Sequence, residues 1–411
     1  MFLTIFDIAL AIGLTYFITD ELILSAILSG VLSISLFAFR SYDPENLENF
    51  YEQLVRFFVA SILSVLVTSL IYSIFRTRIP YHRTIASLGL LFLTIPFFNF
   101  IFSKAMVKYI RPKKYLVIGR EEELKEVLNE ITEKTNGKYI FQDFVNPSPA
   151  TVAQKITQYD HILIGDYELY KHAEELIKNY GTKTIEYLPT IAEKVLKRIP
   201  IVVIDKFREY YEIEFEKAKE SPTKRIIDVI GGIIGLILFS PLILISSLII
   251  LIEDGAPVVF KQLRIGKNNK EFLLVKLRSM RKQTDGNAKF ADQEKDRILK
   301  IGKIIRPTRI DESLQFWNIL KGDMSIVGPR PEQIPFVREF EQKIPYYPYR
   351  HKLKPGLTGW AQIMYQYSST LEEVKRKLEY DLYYIKNRST LMDLRIILQT
   401  IEAVFWRRGA R

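Results

Sequence analysis

Two adjacent carboxylates, Asp311 and Glu312, are the residues of this 411-residue sequence best suited to chemistry. They lie in a stretch dense in cations, glycine and proline, RPTRIDESLQFWNILKGDMSIVGPRP, residues 306–331. Thr308 is a plausible helix N-cap, and apolar residues at helical spacing predict a helix that ends at Gly322. Because successive helix positions differ by about 100°, the two carboxylates point to different faces and can take different roles.

Four cations accompany the acidic pair. Arg306 lies about one turn before it, and Arg330 follows it between two prolines. The predicted helix N-terminus favours a bound phosphate, because its N–H groups and its dipole attract negative charge. Lys276 and Arg278 alternate with apolar residues on a predicted strand, so both are expected on one side of it. An acidic turn that only stabilises its helix, and a solvated strand face, would explain the same residues.

Further blocks accompany this stretch in order along the chain: KRIID (224–228), PVVFKQLRIG (257–266), KLRSM (276–280), KPGLTGWAQ (354–362) and YDLYYIKNR (380–388). Together they resemble the signature of the bacterial sugar transferases, the monotopic polyprenyl-phosphate phosphoglycosyl transferases. The resemblance covers residues 224–411. With its apolar N-terminal region, the chain is similar to the long form of the family with four transmembrane helices, the polyprenyl glycosylphosphotransferases of exopolysaccharide biosynthesis.

The resemblance implies a reaction in two displacements. Asp311 would attack the sugar-linked phosphorus of a UDP-sugar and release UMP, and polyprenyl (undecaprenyl) phosphate would then attack the aspartyl phosphosugar. Glu312 would hold Mg²⁺, which prefers few carboxylates together with substrate phosphates. The resemblance also suggests residues that bind phosphate or substrate: Arg306, Arg330, Lys276, Arg278 and, on the acceptor side, Asp381. As a lone acid in a helix, Asp381 could instead only pair with a neighbouring cation.

Composition excludes several classes of protein. A chain that is 48% hydrophobic and 26% charged must segregate apolar segments from soluble ones. The net charge of +11 suits an anionic lipid surface and phosphorylated substrates. No RNA-binding motif or zinc-finger spacing supports a nucleic-acid partner. Without cysteine, the chain has no disulfides, thiol catalysis or thiolate metal sites.

Residues 1–111 are predicted to form a transmembrane region of four helices. Each apolar run is long enough to cross the hydrocarbon core, which needs about 20 residues; the runs are 2–19, 22–39, 57–75 and about 84–102. Only Asp20 and Glu21 separate the first two runs, which predicts a tight helical hairpin. Basic residues after the fourth run place residues 104 onward, and the N-terminus, in the cytoplasm by the positive-inside rule.

Residues 112–205 alternate between strand and helix patterns, which resembles the Rossmann-like domain of longer family members. Strands are predicted at 114–119, 139–145 and 161–165, with a helix at 121–132. The glycine pattern that binds nucleotides is missing after Gly119, where three glutamates would repel a pyrophosphate. A structural or regulatory domain is therefore expected. Residues 206–223 are predicted to be a charged linker to a catalytic domain at 224–411.

An apolar run at 230–252 is long enough to span a membrane, but Ser240-Pro241 interrupts it. Proline removes a backbone donor and bends or breaks a helix, and Ser240 can bind the carbonyl that is freed. A spanning helix would carry the catalytic part away from cytoplasmic nucleotide sugars. We therefore expect a re-entrant helix over 225–252, as the resemblance also implies. Lys224, Arg225 and Asp228 are expected at the headgroup level, where a generic basic flank is the alternative for the first two.

The tail at 391–406 has apolar residues at helical spacing together with arginines, which predicts an amphipathic helix in the membrane interface. Packing on the domain's own core is the alternative. The predicted fold class is thus a membrane protein, α plus α/β, with a four-helix transmembrane bundle, a Rossmann-like middle domain and a monotopic catalytic domain. The resemblance implies a bacterial inner membrane, a catalytic domain on its cytoplasmic face, downstream glycosyltransferases as partners, and leaves room for a homodimer.

One block departs from the shorter family members. After Trp360-Ala-Gln362 those carry Asn-Gly-Arg, whereas this chain has Ile-Met-Tyr365-Gln366-Tyr367. An arginine for the uridine phosphate is then absent locally, and no residue plainly selects the sugar. The long form favours a hexose-1-phosphate such as glucose or galactose.

Two rival functions belong to other classes. A catalytically inactive scaffold of a polysaccharide assembly complex would keep the fold without the reaction, but the intact residues around Asp311 argue against it. An aspartyl-phosphate phosphatase would need an Asp-x-Asp-x-Thr/Val motif, which is missing at Asp311.

Overall fold

The computed structural model describes residues 2–47, 49–76, 78–109, 112–146, 149–179, 183–281, 297–365 and 370–405. It divides into two compact units. One comprises Met1–Pro112 with Lys134–Lys138, and the other Lys113–Glu133 with Tyr139–Arg411.

The N-terminal unit is helical. Its helices are α1 (Phe2–Thr19), α2 (Leu22–Ala38), α3 (Pro44–Leu47), α4 (Phe50–Ile74) and α5 (Tyr81–Tyr109). Helix α1 packs against α2 and α5, and α4 packs against α2 and α5. The predicted hairpin of the first two helices is confirmed, because two residues join them and the Thr19 and Ser25 hydroxyls lie 3.3 Å apart.

Three helices among the described residues are long and apolar enough to cross a membrane: Phe50–Ile74, Tyr81–Ala105 and Pro222–Asp254. Helices α1 and α2 are apolar but shorter, at 18 and 17 residues. The chain is therefore a membrane protein with an apolar helical N-terminal region. The prediction that all four N-terminal helices span the membrane remains a prediction.

The second unit begins with a parallel sheet in the order β2-β1-β3-β4. The strands are β1 (Lys113–Ile118), β2 (Tyr139–Val145), β3 (His161–Ile164) and β4 (Thr184–Tyr187). The connecting helices are α6 (Glu121–Lys134), α7 (Pro149–Ile156), α8 (Tyr167–Lys171), α9 (Glu174–Asn179), α10 (Leu188–Leu196), α11 (Ile201–Lys206) and α12 (Arg208–Glu216). The three predicted strands are confirmed. The fourth escaped prediction because its four residues, TIEY, are too short for a clear pattern.

The predicted linker at 206–223 is wrong, because the chain there is mostly helical and packed. Tyr211 and Phe215 of α12 are fully buried and join the core cluster that also contains the parallel sheet. That cluster continues to Trp360 and Leu382 of the C-terminal part. The charged residues that suggested a linker lie on the outer face of a short amphipathic helix.

The C-terminal part consists of one long helix, a β-hairpin and short elements around them. Its helices are α13 (Pro222–Asp254), α14 (Gly302–Ile305), α15 (Gln315–Lys321), α16 (Ile334–Lys343), α17 (Trp360–Met364), α18 (Leu371–Asn387) and α19 (Thr390–Phe405). Its strands are β5 (Val259–Ile265), β6 (Glu271–Leu277), β7 (Ser325–Val327) and β8 (Gly356–Thr358), with 3₁₀ turns at Lys267–Asn269, Ile310–Glu312 and Tyr347–Lys352. Strands β5 and β6 form an antiparallel hairpin, and β7 pairs with β8 in parallel.

Helix α13 is assigned as one α-helix through Pro241. The Ser240 hydroxyl donates to the Ile237 carbonyl at 2.8 Å. That carbonyl would otherwise accept the N–H that Pro241 lacks, so the predicted role of Ser240 is confirmed.

Both halves of α13 pack on the same unit. In the first half, a Cβ on Gly235 would lie within 2.6 Å of the Phe316 ring. In the second half, Ile250 is buried with Leu277 and Ile305. The opposite face of the helix is apolar and exposed along its length, with Ile226, Ile237 and Ile252 at 58%, 66% and 85%.

Helix α19 has two apolar faces. Ile396 is buried against the domain, and Thr400 shares a 2.6 Å hydrogen bond with Thr358. Leu391 and Leu394 are exposed on the other side, at 70% and 40%. The alternative of packing on the domain core therefore holds for one face, while the outer face keeps the composition expected at an interface. Trp406 at the end of the predicted helix lies outside the described residues.

Candidate active site

The acidic pair lies in a 3₁₀ turn, Ile310–Glu312, and not in the first turn of an α-helix. Arg309 immediately before it has a left-handed backbone, φ 57°. The Thr308 hydroxyl donates to the Ile304 carbonyl, so the predicted N-cap is wrong. Helix α15 begins only at Gln315 and ends at Gly322, φ 94°, as predicted. Because a 3₁₀ turn has about three residues per turn, the adjacent side chains of Asp311 and Glu312 point in different directions.

Asp311 is buried, at 5% exposure. Within the described part of the chain its Oδ1 atom has no hydrogen-bond partner. Burial, and then the charge of Glu312, raise the pKa of Asp311 to about 6, against the opposing charges of Lys276 and Arg306. A buried carboxylate with an unoccupied oxygen has the basicity and the freedom that a nucleophile needs.

Glu312 has the opposite environment. Its Oε1 atom accepts from Arg330 at 3.0 Å and from Arg309 at 3.3 Å. Burial alone would raise the pKa of Glu312, but the charges of Arg330, Arg309 and Lys276 outweigh it and lower the pKa to about 2. The group is therefore ionised at any pH at which the protein works.

Lys276 reaches the pair from β6. Its ammonium lies over the Phe260 ring, 5.2 Å from the centroid, and its charge acts on both carboxylates. Burial lowers the pKa of Lys276, and the charges of Asp311 and Glu312 oppose that shift. The predicted proximity of this cation to the acidic pair agrees with the structure.

Arg278 does not share that site. It follows the last residue of β6, and its guanidinium donates to the carbonyls of Asp254 and Gly255 at 2.9 and 2.6 Å. It also pairs with the Asp254 carboxylate at 3.3 Å. The Arg278 guanidinium is therefore occupied at the end of α13, and its predicted contact with substrate stays a prediction.

Arg306 follows α14 and is half-buried. Its charge is among those that lower the pKa of Asp311. Arg330 is 36% exposed and binds Glu312. The predicted arginines thus lie on either side of the acidic pair, where they can meet phosphate oxygens.

The loop that carries Arg330 is held by its neighbours. At its start, Gly328 approaches the adjoining backbone so closely that a Cβ would lie 2.3 Å from the Lys354 carbonyl. Side chains then bind the backbone that follows, because Arg350 donates to the Arg330 carbonyl and Arg264 to the Pro331 carbonyl, both at 3.0 Å.

Asp381 does not reach the acidic pair directly. It is buried in α18 and binds Arg350 through both Nε and Nη2, at 3.2 and 2.8 Å. The structure therefore agrees with the alternative, in which Asp381 pairs with a cation. That cation, Arg350, also holds the Arg330 loop. The proposed contact with the acceptor remains a prediction.

Lys224 and Asp228 are buried, at 4% and 3% exposure, so the prediction of headgroup residues is wrong for both. Lys224 donates to the Val327 carbonyl at 2.8 Å, and Asp228 accepts from Ser325 and Ile326 of β7. These contacts tie α13 to the strand that precedes the Arg330 loop.

Arg225 is also occupied within the protein. It donates to the carbonyls of Ile319 and Leu320 at 2.7 Å, at the end of α15. A cation there satisfies carbonyls that lack an intrahelical partner.

Sequence reasoning missed four charged residues around Arg330: Arg264, Glu332, Arg350 and Lys377. Arg264 lies in one of the matched blocks and could have been noticed there. The others are separated in sequence and meet only through the fold, as in the 2.7 Å ion pair of Lys377 with Glu332. Of the divergent block, Tyr365 stacks on Tyr380, while Gln366 and Tyr367 lie outside the described residues.

The described residues contain no cluster of three or more acidic, histidine or cysteine side chains that could hold a metal by themselves. Magnesium does not require one, because it binds one or two carboxylates together with waters and substrate phosphates. Glu312 and the unpartnered Oδ1 of Asp311 fit such a sparse donor set.

Fold and site together define a helical membrane protein whose second unit carries a buried acidic pair with cations near it. The model of the bacterial sugar transferase family matches residues 219–407. An exopolysaccharide production protein PSS of Rhizobium leguminosarum bv. phaseoli is 38% identical over 185 residues, which cover 43% of this chain and 92% of the relative. The chain belongs to the bacterial sugar transferase family.

Two further relatives are named for their activities. The UDP-N-acetylgalactosamine-undecaprenyl-phosphate N-acetylgalactosaminephosphotransferase of Aeromonas hydrophila is 44% identical over 189 residues, covering 46% of this chain and 45% of the relative. A UDP-glucose:undecaprenyl-phosphate glucose-1-phosphate transferase of Klebsiella pneumoniae is 38% identical over 190 residues, covering 46% of this chain and 41% of the relative. The match spans less than half the length of both.

Proposed function

We propose that this protein transfers a sugar-1-phosphate from a UDP-sugar to undecaprenyl phosphate, giving undecaprenyl-diphosphate sugar and UMP. The observation that carries the proposal is the acidic pair, with Asp311 buried and unpartnered at Oδ1 and Glu312 held ionised by Arg330. The activities for which two relatives are named support the same reaction. Product of this kind would enter exopolysaccharide, O-antigen or capsule-type assembly through downstream glycosyltransferases.

Asp311 acts as the nucleophile in this proposal. A carboxylate oxygen forms a bond to the phosphorus that bears the sugar, and the bond from that phosphorus to the UMP oxygen breaks. An oxygen of undecaprenyl phosphate then attacks the same phosphorus and returns Asp311 to its carboxylate form. With a pKa of about 6, Asp311 is mostly ionised at neutral pH and ready to attack.

The cations stabilise the phosphate charge in both steps. Arg306, Arg330 and Lys276 approach the pair from three different elements, so their charges surround a phosphate placed on Asp311. A magnesium ion, held by Glu312 when bound, would add to this neutralisation of the donor phosphates. Arg278 is not assigned to phosphate binding in this proposal, because its guanidinium binds the end of α13.

We infer that α13 enters the bilayer and returns to the same face. Both of its halves pack on one unit, and its outer face exposes apolar side chains along its length, from Ile226 to Ile252. A straight helix of 33 residues would be about 50 Å long, longer than the hydrocarbon core, and its ends would lie on opposite sides. The exposed face of α19 would rest on the same surface, on the cytoplasmic side of a bacterial inner membrane.

A donor panel tests the reaction. Purified protein with Mg²⁺ and undecaprenyl phosphate is assayed for UMP release from UDP-glucose, UDP-galactose and their N-acetylated counterparts, with Asp311→Asn as the inactive control. We expect UMP release from at least one donor and favour a hexose as the transferred sugar, although one relative is named for N-acetylgalactosamine. Activity with N-acetylated donors alone would show that preference to be wrong. Folded protein that releases UMP from none would instead favour a scaffold.

A further inference from the structure

Arg350 is one of the most deeply buried cations in the described part of the catalytic region, at 3% exposure. It lies in the 3₁₀ turn Tyr347–Lys352 and uses every nitrogen of its guanidinium. Nε and Nη2 bind Asp381, Nη1 donates to the Tyr347 hydroxyl at 2.7 Å, and Nη2 also donates to the Arg330 carbonyl at 3.0 Å. The group thus joins α18 to the loop that carries Arg330.

That loop needs side chains to hold it. Arg330 lies between Pro329 and Pro331, which have no N–H to donate, so the loop cannot join a strand ladder in the usual way. The carbonyls of Arg330 and Pro331 accept from Arg350 and Arg264 instead. Without Arg350, the Arg330 carbonyl would lose its described partner.

The position of this loop determines the state of the acidic pair. The guanidinium of Arg330 binds Glu312 at 3.0 Å and is the leading attractive charge on that carboxylate. A backbone shift of one ångström at Arg330 would lengthen the contact beyond hydrogen-bond range.

We propose that Arg350, itself held by Asp381, is a positioning residue that fixes the Arg330 backbone so that the Arg330 guanidinium stays on Glu312. The proposal rests on the sugar-phosphate transfer argued above. Arg350 touches neither carboxylate of the pair among the contacts of the described residues, so it acts through Arg330. A buried ion pair is weak evidence for a purely stabilising role, because a hydrophobic replacement is often as stable.

A double-mutant cycle distinguishes positioning from general stability. Arg350→Lys keeps the charge but cannot bind Asp381 and the Arg330 carbonyl with the same fork. Misplacement by about 1 Å can cost about 100-fold in rate, so we expect UMP release to fall about 10- to 100-fold. In an Arg330→Lys background the same change is expected to cost less than about threefold, because the residue it positions is already altered.

The control variant is Lys352→Ala, two residues along the same turn, which removes an ion pair with Glu216 and a cation–π contact with Tyr349, both away from the Arg330 loop. It is expected to leave the rate unchanged. Equal losses from Arg350→Lys in both backgrounds, or a wild-type rate in the single variant, would overturn the proposal. If Arg350→Lys does not fold, Asp381→Asn takes its place in the cycle, since it frees Arg350 without removing it.

A second measurement does not depend on turnover. Hydrogen exchange in the peptide covering residues 328–334 is expected to be faster in Arg350→Lys than in wild type, with exchange elsewhere unchanged. Unchanged exchange in this peptide would refute the positioning role. Wild-type protein that releases no UMP would refute the proposed reaction instead, so the two failures are separable.

Discussion

Asp311 and Glu312 are neighbours in the chain, yet their surroundings shift their pKa values in opposite directions. Asp311 is dominated by burial, which raises its pKa to about 6, whereas three cations lower the pKa of Glu312 to about 2. In the proposed reaction, this difference suits Asp311 to act as the nucleophile and Glu312 to stay ionised. The difference follows from the 3₁₀ turn, in which consecutive side chains point about 120° apart and so meet different surroundings.

The raised pKa of Asp311 predicts that its charge costs stability at neutral pH. A carboxyl whose pKa rises from 3.8 to about 6 on folding favours the folded state only in its protonated form. The free energy of unfolding therefore falls as the pH rises from about 4 to 6, because Asp311 ionises more easily in the unfolded chain. Above that range the loss reaches about 3 kcal/mol. Asp311→Asn should abolish UMP release and yet raise the melting temperature at pH 7.5, with little difference at pH 4.

Asp160→Asn is the matched control for this prediction, because Asp160 is a carboxylate with 97% exposure. Its melting temperature should equal that of wild type at both pH values. A lower melting temperature for Asp311→Asn at pH 7.5 would contradict the unfavourable burial of the Asp311 charge.

Most of the residue types at the site could be predicted from the sequence, but their partners could not. Asp311, Glu312, Arg306 and Arg330 are close in sequence, so local spacing is enough to group them. Asp381 and Arg350 are 31 residues apart, and no local pattern indicates that they meet. The N-cap at Thr308 failed for a different reason, because the hydroxyl binds backwards to Ile304 and periodicity does not reveal such a bond.

Among the elements, α13 is the helix on which the proposed return to one membrane face rests. The apolar run and the bond of Ser240 could be predicted from the sequence, because proline leaves a carbonyl without its N–H donor and the serine hydroxyl can bind it. The burial of Lys224 and Asp228 could not be predicted from the sequence, because charged residues beside an apolar run usually lie among the lipid headgroups. Their partners in β7 are about a hundred residues away in the chain.

A pair of single cysteines tests the course of α13. Lys219→Cys lies before the helix and Lys270→Cys after it, both exposed, and the chain has no other cysteine. A re-entrant helix predicts that an impermeant thiol reagent labels both from the same side of sealed inverted vesicles. A spanning helix predicts labelling of one from each side, which would contradict the return of α13. Detergent-solubilised protein, in which both positions must react, is the control.

At the scale of the whole molecule, the parallel sheet and the catalytic part share one core within a single unit. Arg198 is buried between Glu130 of α6 and Glu379 of α18. Helix α18 also carries Asp381, which binds Arg350 beside the Arg330 loop. The Rossmann-like part therefore packs against the helix that carries Asp381, and its expected structural or regulatory role stays a prediction.

The sequence indicated two domains and a linker where one packed unit exists. The many charged residues at 206–223 led to the prediction of a linker. They lie on the outer face of a helix, and the composition does not reveal the aromatic side chains that the helix buries. Tyr211 and Phe215 alone fill that inner face, too few for a convincing periodicity.

A single turnover without acceptor tests the role of Asp311 most directly. Wild-type protein mixed with a UDP-sugar that supports turnover, and with no undecaprenyl phosphate, should release one UMP per active site. Its intact mass should rise by one sugar phosphate, located by peptide mapping to the residues around Asp311. Asp311→Asn should do neither, and adding undecaprenyl phosphate should discharge the wild-type adduct. UMP that appears only when the acceptor is present, with no adduct at any time, would contradict the covalent role of Asp311.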